Sequence, residues 1–572
     1  MNMPLVLLNR RRRGFTAFSP STLFALAEPG VWFDPSDLTT LFTDPAGTTP
    51  VTTPGNTVGL MLDKSQGLAL GAELVANGDF SGGTTGWSVT GGTQAVVSGA
   101  LVVTPSPSIV VHSSQSFATV IGRTYQVRGS ILAGTSTFFA IRKGDGATGG
   151  ANQVTLRSSV GELVGVFTAT ATTSFVILQA NDSGSATFDN ISVRELAGNH
   201  ATQATLAARP TYSIEPVGGR RNILEQTESL SNAYWTKTSI TLTSGIADPV
   251  GGTGAWTLAA TAANDTVSKS VGVINNIVIS CYIKRRTGSG AVALWNGTGY
   301  STISVTGEWA RVQVSQAALT AGYFDIRLSV SGDAVDLAFP QVETGSTATA
   351  YQRVTTQHDV TEAGVASVGY LYFDGTDDAM ATSTITPGTD KAQVFAGVRK
   401  LSNASRGILV EFSSVYSNPG SFGIDAPNNA LNNYAFVSTG TFDQAAIASP
   451  FSAPITNVLT GLGDISGDTS TIRINGAQAA QNTGNQGTGN YLAYPLYIGA
   501  RGGSSLPFTG HLYSLITRFG PNLDAPTIAS TEVWVGDKTG IDIAKITSTT
   551  IYTRSGETIL DRANSTIERR AV

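Results

Sequence analysis

The chain has 572 residues, and at roughly 150 residues per domain this length predicts three or four domains and excludes a single small fold. Only 13% of the residues are charged and the net charge is −5, which argues against a nucleic-acid partner because neutralising phosphates requires an excess of Lys and Arg. Hydrophobic residues make up 41% of the chain, too many for a disordered protein.

The first 28 residues are predicted to be a basic N-terminal arm. Arg10 to Arg13 precede an apolar stretch that ends at Ala25 to Ala27, a pattern shared with secretory signal peptides. Ser19-Pro20 interrupts that stretch, which favours the alternative that residues 1–28 dock on a partner.

Strand patterns dominate the rest of the chain. Four segments alternate in polarity or run apolar between turn residues: 124–134, 173–180, 335–343 and 470–477. One helix is predicted, with Asp524 as its N-cap, Pro526 in its first turn and Gly540 after its end. The predicted fold class is therefore all-β, with multiple antiparallel β-sandwiches and one short C-terminal helix.

Two segments repeat one pattern. Residues 77–195 and 222–343 each contain a Gly-Glu pair, which lies at nearly the same distance before Asp189 in the first segment and Asp336 in the second. Repeats of this length with many short strands predict two copies of one jelly roll.

Particular motifs give these two segments a family resemblance. The first carries Asn77-Gly78-Asp79-Phe80 with Trp87, and later Phe188-Asp189-Asn190-Ile191-Ser192-Val193. Both segments resemble the carbohydrate-binding-module-like jelly rolls of bacterial glycan-binding proteins and phage tail proteins. Pro340-Gln341-Val342-Glu343-Thr344-Gly345-Ser346, followed by Tyr351, resembles phage and prophage fibre proteins in particular.

The remaining segments, read in order, resemble a concanavalin A-like, laminin-G-type lectin sandwich. They are VWFDPSDLTT (31–40), VGLMLDKSQG (58–67), GNHATQATLAARPTY (198–212), YLYFDGTDDAM (370–380), RINGAQ (473–478) and residues 496–519. In that family the second and third segments adjoin, whereas here a jelly roll separates them. This order predicts that both jelly rolls are inserted into loops of the lectin-like sandwich, since loop-closure entropy grows slowly with length. The alternative is a linear array in which residues 1–70 form a separate cap.

The nested arrangement gives the following domains. They are the arm 1–28, the discontinuous lectin-like sandwich 29–70, 198–217 and 356–522, jelly roll 1 at 71–197, jelly roll 2 at 218–355, the helix 523–541 and a C-terminal tail 542–572.

Metal and cofactor expectations are few. One cysteine, Cys281, and four histidines leave no disulfide and no zinc-ligand spacing. The family resemblance implies a structural calcium held by Asp79 and Asp189. Asp377-Asp378 follow Phe373-Asp374-Gly375, and they either form a turn through Asx hydrogen bonds or supply oxygen ligands to calcium.

Binding residues are sought among aromatic side chains, because sugar rings stack on aromatic faces. Trp295 and Tyr300 flank an Asn-Gly-Thr-Gly loop and form the best candidate pair. In the lectin-like sandwich, Asn432, Tyr434 and Arg501 are predicted to lie in loops that face a ligand.

Neither catalysis nor a membrane span is predicted. Gly-x-Ser-x-Gly and phosphate-loop motifs are missing, and Cys281 lies in a strand pattern typical of a buried apolar residue. The apolar runs are shorter than the roughly 18 residues of a membrane-spanning helix. The tail carries Ile543, Ile546 and further apolar residues, with Ser555-Gly556 as a hairpin turn, and is predicted to mediate oligomerisation or docking.

Together these features predict a phage virion structural protein, tail-fibre-like or decorating the head, which is made in the bacterial host cytoplasm. Its sandwiches would present binding surfaces to host glycans, and its partners would be other virion proteins and further copies of the chain, a trimer by family resemblance. Two alternatives are a purely structural virion component and a secreted polysaccharide hydrolase with accessory binding modules.

Overall fold

The computed structural model describes residues 18–150, 152–317, 322–429, 431–544, 550–552 and 558–560. The chain divides into two units: the first is Met1–Pro50, Gly59–Arg209 and Phe373–Val572, and the second is Val51–Val58 and Pro210–Tyr372. Within the described residues, no helix has both the length and the apolar character needed to cross a membrane.

Short helices and strands make up the first unit before residue 210. Its 3-10 helices are Pro20–Phe24, Leu38–Thr40 and Leu206–Ala208. Its strands here are β1 (Gly30–Phe33), β2 (Leu41–Phe42), β3 (Leu60–Met61), β4 (Leu70–Glu73), β5 (Ser88–Thr90), β6 (Gly92–Val97), β7 (Ala100–Pro105), β8 (Val111–Ala118), β9 (Thr124–Gly134), β10 (Phe139–Gly144), β11 (Val154–Arg157), β12 (Gly161–Thr168), β13 (Thr173–Ala180), β14 (Ala186–Leu196) and β15 (Ala201–Thr202).

Strands β4 to β14 form the first jelly roll. One sheet has the order β11-β10-β13-β8-β5, and the other has the order β12-β9-β14-β7-β6 with β4 added on β14. Trp87, Tyr125, Phe167 and Phe188 belong to the core of this jelly roll. The core forms because alternate side chains of each strand point to one face of its sheet.

The second unit contains a second jelly roll. The strands of this unit are β16 (Thr211–Pro216), β17 (Thr236–Thr238), β18 (Ile240–Ile246), β19 (Ala255–Ala260), β20 (Asp265–Gly272), β21 (Ile277–Thr287), β22 (Val292–Trp295), β23 (Tyr300–Ile303), β24 (Ala310–Gln316), β25 (Gly322–Leu328), β26 (Ala334–Thr344), β27 (Gln352–Thr356), β28 (Asp359–Glu362) and β29 (Ser367–Asp374), whose last two residues belong to the first unit. The jelly roll consists of two sheets with the orders β17-β20-β25-β22-β23 and β18-β19-β26-β21-β24. Cys281 is fully buried in this core, where burial raises the pKa of its thiol to about 12.

The two jelly rolls have the same strand order. Strands β5 to β14 correspond one to one, in chain order, to strands β17 to β26, and each strand has the equivalent neighbours in its sheet. The repeat found in the sequence is therefore a repeat of topology, and equivalent positions of the two modules can be compared directly.

The first unit resumes after residue 372. Its further strands are β30 (Met380–Ile385), β31 (Lys391–Lys400), β32 (Ile408–Phe412), β33 (Ser421–Asp425), β34 (Tyr434–Thr439), β35 (Asp443–Ala448), β36 (Ile455–Asp464), β37 (Thr469–Ile474), β38 (Ala477–Asn482), β39 (Tyr494–Ile498), β40 (Thr509–Phe519), β41 (Thr550–Tyr552) and β42 (Thr558–Leu560). One sheet has the order β2-β3-β15-β30-β39-β32-β33-β34-β35. Strands β40, β31, β36, β37 and β38 pair in that order, and β1 pairs with β40. The rings of Phe412 in β32 and Phe519 in β40 lie 4.7 Å apart between centroids, which places these two sheets face to face.

The all-β fold class and the helix are confirmed. Helix α1 spans Ala525–Thr539, with Asp524 as its N-cap and Gly540 after it in the left-handed conformation. In the tail, β41 pairs with β42, whereas Ile546 and Ser555-Gly556 lie outside the described residues, as do residues 1–17 of the arm.

Early and late segments of the chain pair within the first unit. Trp32 lies opposite Ile516, and β15 lies between β3 and β30. A sandwich made of discontinuous segments requires pairings of this kind. The domain bounds themselves stay a prediction.

A buried carboxylate joins the segments that flank the first jelly roll. Asp63 Oδ1 accepts hydrogen bonds from the backbone N–H groups of Trp32 and Ser65, both at 2.8 Å. Asp63 Oδ2 accepts from the N–H of Asn199 at 2.7 Å, and the N–H of Asp63 donates to His200 Nδ1 at 2.8 Å. Residues 63 and 199 are thus held together although 136 positions separate them.

The substitution Asp63→Ala is expected to lower the free energy of unfolding by about 3 kcal/mol, because several buried N–H donors lose their acceptor. Urea denaturation followed by tryptophan fluorescence measures the change. Asp443→Ala is the control, since Asp443 is exposed. Equal stabilities of the two variants would contradict this role of Asp63.

Candidate functional site

The predicted pair Trp295 and Tyr300 lies on the outer face of a sheet in the second jelly roll. In β25 of this sheet, Phe324, Ile326 and Leu328 are buried in the core, and the alternate residues face outward. The outward residues are Tyr323, Asp325 and Arg327. Strand alternation therefore places one acidic, one basic and one aromatic side chain in a row.

A tight turn brings Trp295 and Tyr300 opposite each other. The two residues are Cα partners at the ends of β22 and β23. Asn296 Oδ1 accepts from the N–H groups of Thr298 and Gly299 at 3.0 and 2.9 Å, which closes the turn. The ring centroids of the pair are 5.3 Å apart and the rings are inclined by 75°, so they form a corner rather than a stack.

Asp325 and Arg327 fix the Tyr300 ring. Tyr300 Oη donates to Asp325 Oδ2 at 2.8 Å, and Arg327 Cζ lies 3.9 Å from the ring centroid. Burial, reinforced by the hydrogen bond to the Asp325 carboxylate, raises the pKa of Tyr300 to about 12. Burial also raises the pKa of Asp325. Two buried atoms, Asp325 Oδ1 and Arg327 Nε, have no hydrogen-bond partner among the described residues.

The sequence did not point to Asp325 and Arg327. Their signal is the polar alternation in GYFDIRL, but only the sheet order shows that β25 lies beside β22. The outer face thus combines an aromatic corner, a carboxylate and a guanidinium. This set can stack on an apolar ring and exchange hydrogen bonds with its polar substituents.

The first jelly roll carries different residues at the equivalent positions. In β10, Arg142 follows Ile141, as Trp295 follows Leu294 in β22, and Thr155 lies opposite Arg142. The aromatic corner is therefore particular to the second module.

The other predicted ligand-binding residues belong to the first unit. Asn432 is exposed, and its Nδ2 lies 3.3 Å from Ser452 Oγ. The expected loop position of Tyr434 is corrected, because it begins β34, is fully buried, and accepts a hydrogen bond from Asn457 Nδ2 at 3.1 Å. This burial does not support a ligand contact for Tyr434.

Arg501 belongs to an ion-paired cluster. It lies 3.1 Å from the fully buried Glu411, and its guanidinium lies 4.9 Å from the centroid of the Tyr416 ring. Arg406 lies 2.7 Å from the fully buried Asp425, and its guanidinium lies 5.1 Å from the centroid of the same Tyr416 ring. Burial raises the pKa of Asp425 to about 6, although Arg406 opposes this shift. The pairing gives Arg501 a structural role, and its ligand-binding role stays a prediction.

The predicted calcium ligands lie on neighbouring segments of the first jelly roll. The N–H of Ile191 donates to the carbonyl of Gly78 at 2.9 Å, which places the segments of Asp79 and Asp189 side by side. Asp79 is exposed and accepts from the Ser81 N–H and hydroxyl at 3.2 and 3.0 Å. Calcium binding by Asp79 and Asp189 stays a prediction.

A second acidic group lies at the turn after β29. Carboxylate oxygens of Asp374, Asp377 and Asp378 all lie within 4.8 Å of one another. Asp374 Oδ1 accepts from the N–H of Thr376 at 2.7 Å, which is the Asx pattern expected for a turn, and the buried Asp378 accepts from the N–H of Asp374 at 3.0 Å. Burial, with the negative charges of Asp374 and Asp377, raises the pKa of Asp378 to about 7.

This shift predicts how Asp378→Asn changes stability with pH. Because the folded-state pKa of about 7 lies above the ordinary 3.8, the folded protein binds the proton more tightly, and its stability falls as the pH rises through this interval. Asp378→Asn, which stays neutral, should raise the melting temperature at pH values above the interval and leave it nearly unchanged below. Asp443→Asn is the comparison, since Asp443 is exposed and lies outside this acidic group. An equal effect of Asp378→Asn at both pH values would contradict the shift.

No protein-family model and no curated protein matches the chain. Among solved structures, the Ruminococcus gnavus IT-sialidase CBM40 bound to alpha2,3 sialyllactose is 13% identical, with a TM-score of 0.21 over 25% of this chain and 83% of that one. The CBM22-1-CBM22-2 tandem domain of Paenibacillus barcinonensis Xyn10C is 13% identical, with a TM-score of 0.19 over 48% and 98%. The SAP-like pentraxin of Limulus polyphemus is 12% identical, with a TM-score of 0.24 over 33% and 90%. By name, the first two neighbours are carbohydrate-binding modules and the third is a pentraxin.

Proposed function

We propose that the chain is a glycan-binding protein and that its second jelly roll holds a saccharide against the outer face of the sheet β17-β20-β25-β22-β23. The observation that carries the proposal is the corner formed by Trp295 and Tyr300, with Asp325 and Arg327 beside it. Both jelly rolls share the same sheet order, so it is these four side chains that distinguish this face of the second jelly roll.

A pyranose has an apolar C–H face and a rim of hydroxyl groups. An aromatic ring covers the apolar face, while a carboxylate accepts from hydroxyl groups and a guanidinium donates to them. The neighbouring strand β20 adds further hydroxyl groups, because Ser268 lies opposite Asp325 and Thr266 lies opposite Arg327. The face therefore offers both kinds of contact within one row of strands.

The site is also ordered before a ligand arrives. Tyr300 is held by its hydrogen bond to Asp325 and by the Arg327 guanidinium above its ring. Gln316 Nε2 donates to the carbonyls of Trp295 and Tyr323 at 2.8 and 2.7 Å, which ties the ends of their strands together. Side chains that are already fixed lose little conformational entropy on binding.

Trp295→Ala is expected to weaken glycan binding at least about tenfold, which corresponds to roughly 1.4 kcal/mol. A glycan array with the labelled full-length protein identifies the bound glycan, and calorimetry then compares the variants. Phe442→Ala is the matched control, since Phe442 is an exposed aromatic residue of the first unit.

Unchanged affinity in Trp295→Ala would reject this face as the glycan site. If the wild-type protein binds no glycan on the array or on cells, the alternative of a purely structural component is favoured. A loss of polymer viscosity on incubation with the protein would favour the hydrolase alternative instead.

The setting that we propose is a phage virion, with the protein as a fibre-like or decoration component in several copies, binding other virion proteins as well as the host surface. Support for this comes from the resemblance of Pro340 to Ser346 and Tyr351 to fibre proteins. Multiple copies would raise the apparent affinity of weak individual sites. Antibodies raised against this protein should bind one structure of the purified phage particles when these are viewed by electron microscopy. Unlabelled particles would reject the virion setting without affecting glycan binding.

A further inference from the structure

A separate cavity of about 470 Å³ lies where the second jelly roll meets strand β28 of the same unit, and neither Trp295 nor Tyr300 lines it. This volume falls in the range of small-ligand sites. Its lining includes the aromatic residues Tyr282, Phe339 and Tyr351 and the charged residues Glu228, Arg311, Arg353 and Glu362. All of these residues belong to the second unit.

Aromatic rings line the cavity. Phe339 and Tyr351 are stacked, with centroids 4.6 Å apart and an interplanar angle of 20°. Tyr282 meets Phe339 edge to face, with centroids 6.0 Å apart. Together with Ala255 and Ala338 these rings form an apolar cluster that is distinct from the core of the jelly roll. One wall of the cavity is therefore apolar, and its aromatic residues are not part of the hydrophobic core of the jelly roll.

An irregularity of the sheet positions Phe339. The register of β21 and β26 shifts between Ser280 and Tyr282, and Phe339 adopts a φ of 57° at this place. A left-handed backbone is unfavourable for an aromatic residue, and such conformations persist where the surrounding contacts hold them. The shift directs the ring into the cluster with Tyr351, the last residue of the fibre-like motif.

Two charged side chains at the cavity are free of ion pairs within the described part of the chain. Glu228 Oε1 accepts a long hydrogen bond from Tyr351 Oη at 3.4 Å, and burial raises the pKa of Glu228. Arg311 donates to Ser280 Oγ at 3.1 Å, with its guanidinium 5.8 Å from the Tyr282 centroid.

The other two charged side chains are already paired. Arg353 bonds to Asp359 at 3.1 Å, and Arg221 bonds to Glu362 at 3.0 Å. Glu228 and Arg311 are thus the groups with hydrogen-bonding capacity left for a ligand.

The balance of these charges restricts the ligand. The charges of Arg353 and Glu362 are already compensated, and Glu228 and Arg311 are of opposite sign, so the cavity has no excess charge to attract an ion. A neutral ring with hydroxyl groups fits better, because its hydroxyls can donate to Glu228 and accept from Arg311 while its apolar face lies on the aromatic wall. We infer that this cavity is a second saccharide site, which takes a neutral pyranose residue.

This inference rests on the proposed glycan-binding function and extends it to a second position on the same module. Two sites on one jelly roll could engage two residues of one polymer, which converts the second contact into an intramolecular one. The two positions share no lining residue, so each can be altered alone.

The test uses the full-length protein and ligand-observed NMR with four probes, the methyl pyranosides of glucose, galactose, mannose and N-acetylglucosamine, at millimolar concentrations. Glu228→Gln keeps the size of the side chain and removes its charge, whereas Arg311→Gln removes the charge and shortens the side chain. Glu308→Gln is the matched control, since Glu308 is an exposed acidic residue of the same module and does not line the cavity. Thermal melting verifies that each variant is folded.

Binding of at least one probe by the wild type and by Trp295→Ala is expected, with about tenfold weaker binding when Glu228→Gln or Arg311→Gln is added to Trp295→Ala. The inference is overturned if both of these double variants bind like the double variant carrying Glu308→Gln, or if the wild type binds none of the four probes. Loss of all binding in Trp295→Ala alone would also overturn it while leaving the proposed function intact. If Glu228→Gln abolishes probe binding and Trp295→Ala leaves it unchanged, the result supports the cavity as a saccharide site and rejects the outer face as one.

Discussion

The chain enters and leaves each jelly roll through neighbouring segments, and buried hydrogen bonds hold those two segments together. In the first unit, Asp63 accepts from the backbone of Asn199, which lies 136 residues further along the chain. In the second unit, Gln352 accepts from the N–H groups of Arg221 and Asn222, 131 and 130 residues earlier, and its own Nε2 donates to the carbonyl of Gly219. Closing loops of this length costs little more entropy than closing shorter ones, so a few satisfied polar groups suffice.

The second of these closures also explains part of the fibre-like motif. Asn222 Nδ2 donates to the carbonyls of Pro340 and Gln352, and its Oδ1 accepts from the N–H of Val342. Gln341 Oε1 accepts from the N–H of Gln352 at 2.8 Å. Pro340, Gln341 and Val342 of the motif therefore fasten the module to itself, and the ring of Tyr351 lines a cavity.

Common topology leaves the sheet faces free to differ. The ten strands β5 to β14 are arranged like the ten strands β17 to β26, because the same alternation buries one face of each strand in both modules. The outward positions carry no such requirement, and at equivalent places one module has Arg142 where the other has Trp295. Function on this fold depends on those outward residues, which is why the two copies need not bind the same ligand.

Much of the architecture follows from the sequence alone. Alternating strand patterns, the caps at Asp524 and Gly540, and the repeat of two segments determine the all-β class, the single predicted helix and the two like modules, since each depends on local backbone preferences. The aromatic pair was also recognisable, because Trp295 and Tyr300 are joined by one short turn. Tertiary structure alone decided what surrounds that pair, as Asp325 and Arg327 reach it through sheet order and not through proximity in the chain. It likewise buried Tyr434, paired Arg501 with Glu411, and turned Phe339 toward Tyr351 at a register shift, because burial and side-chain pairing depend on strands that meet only after folding.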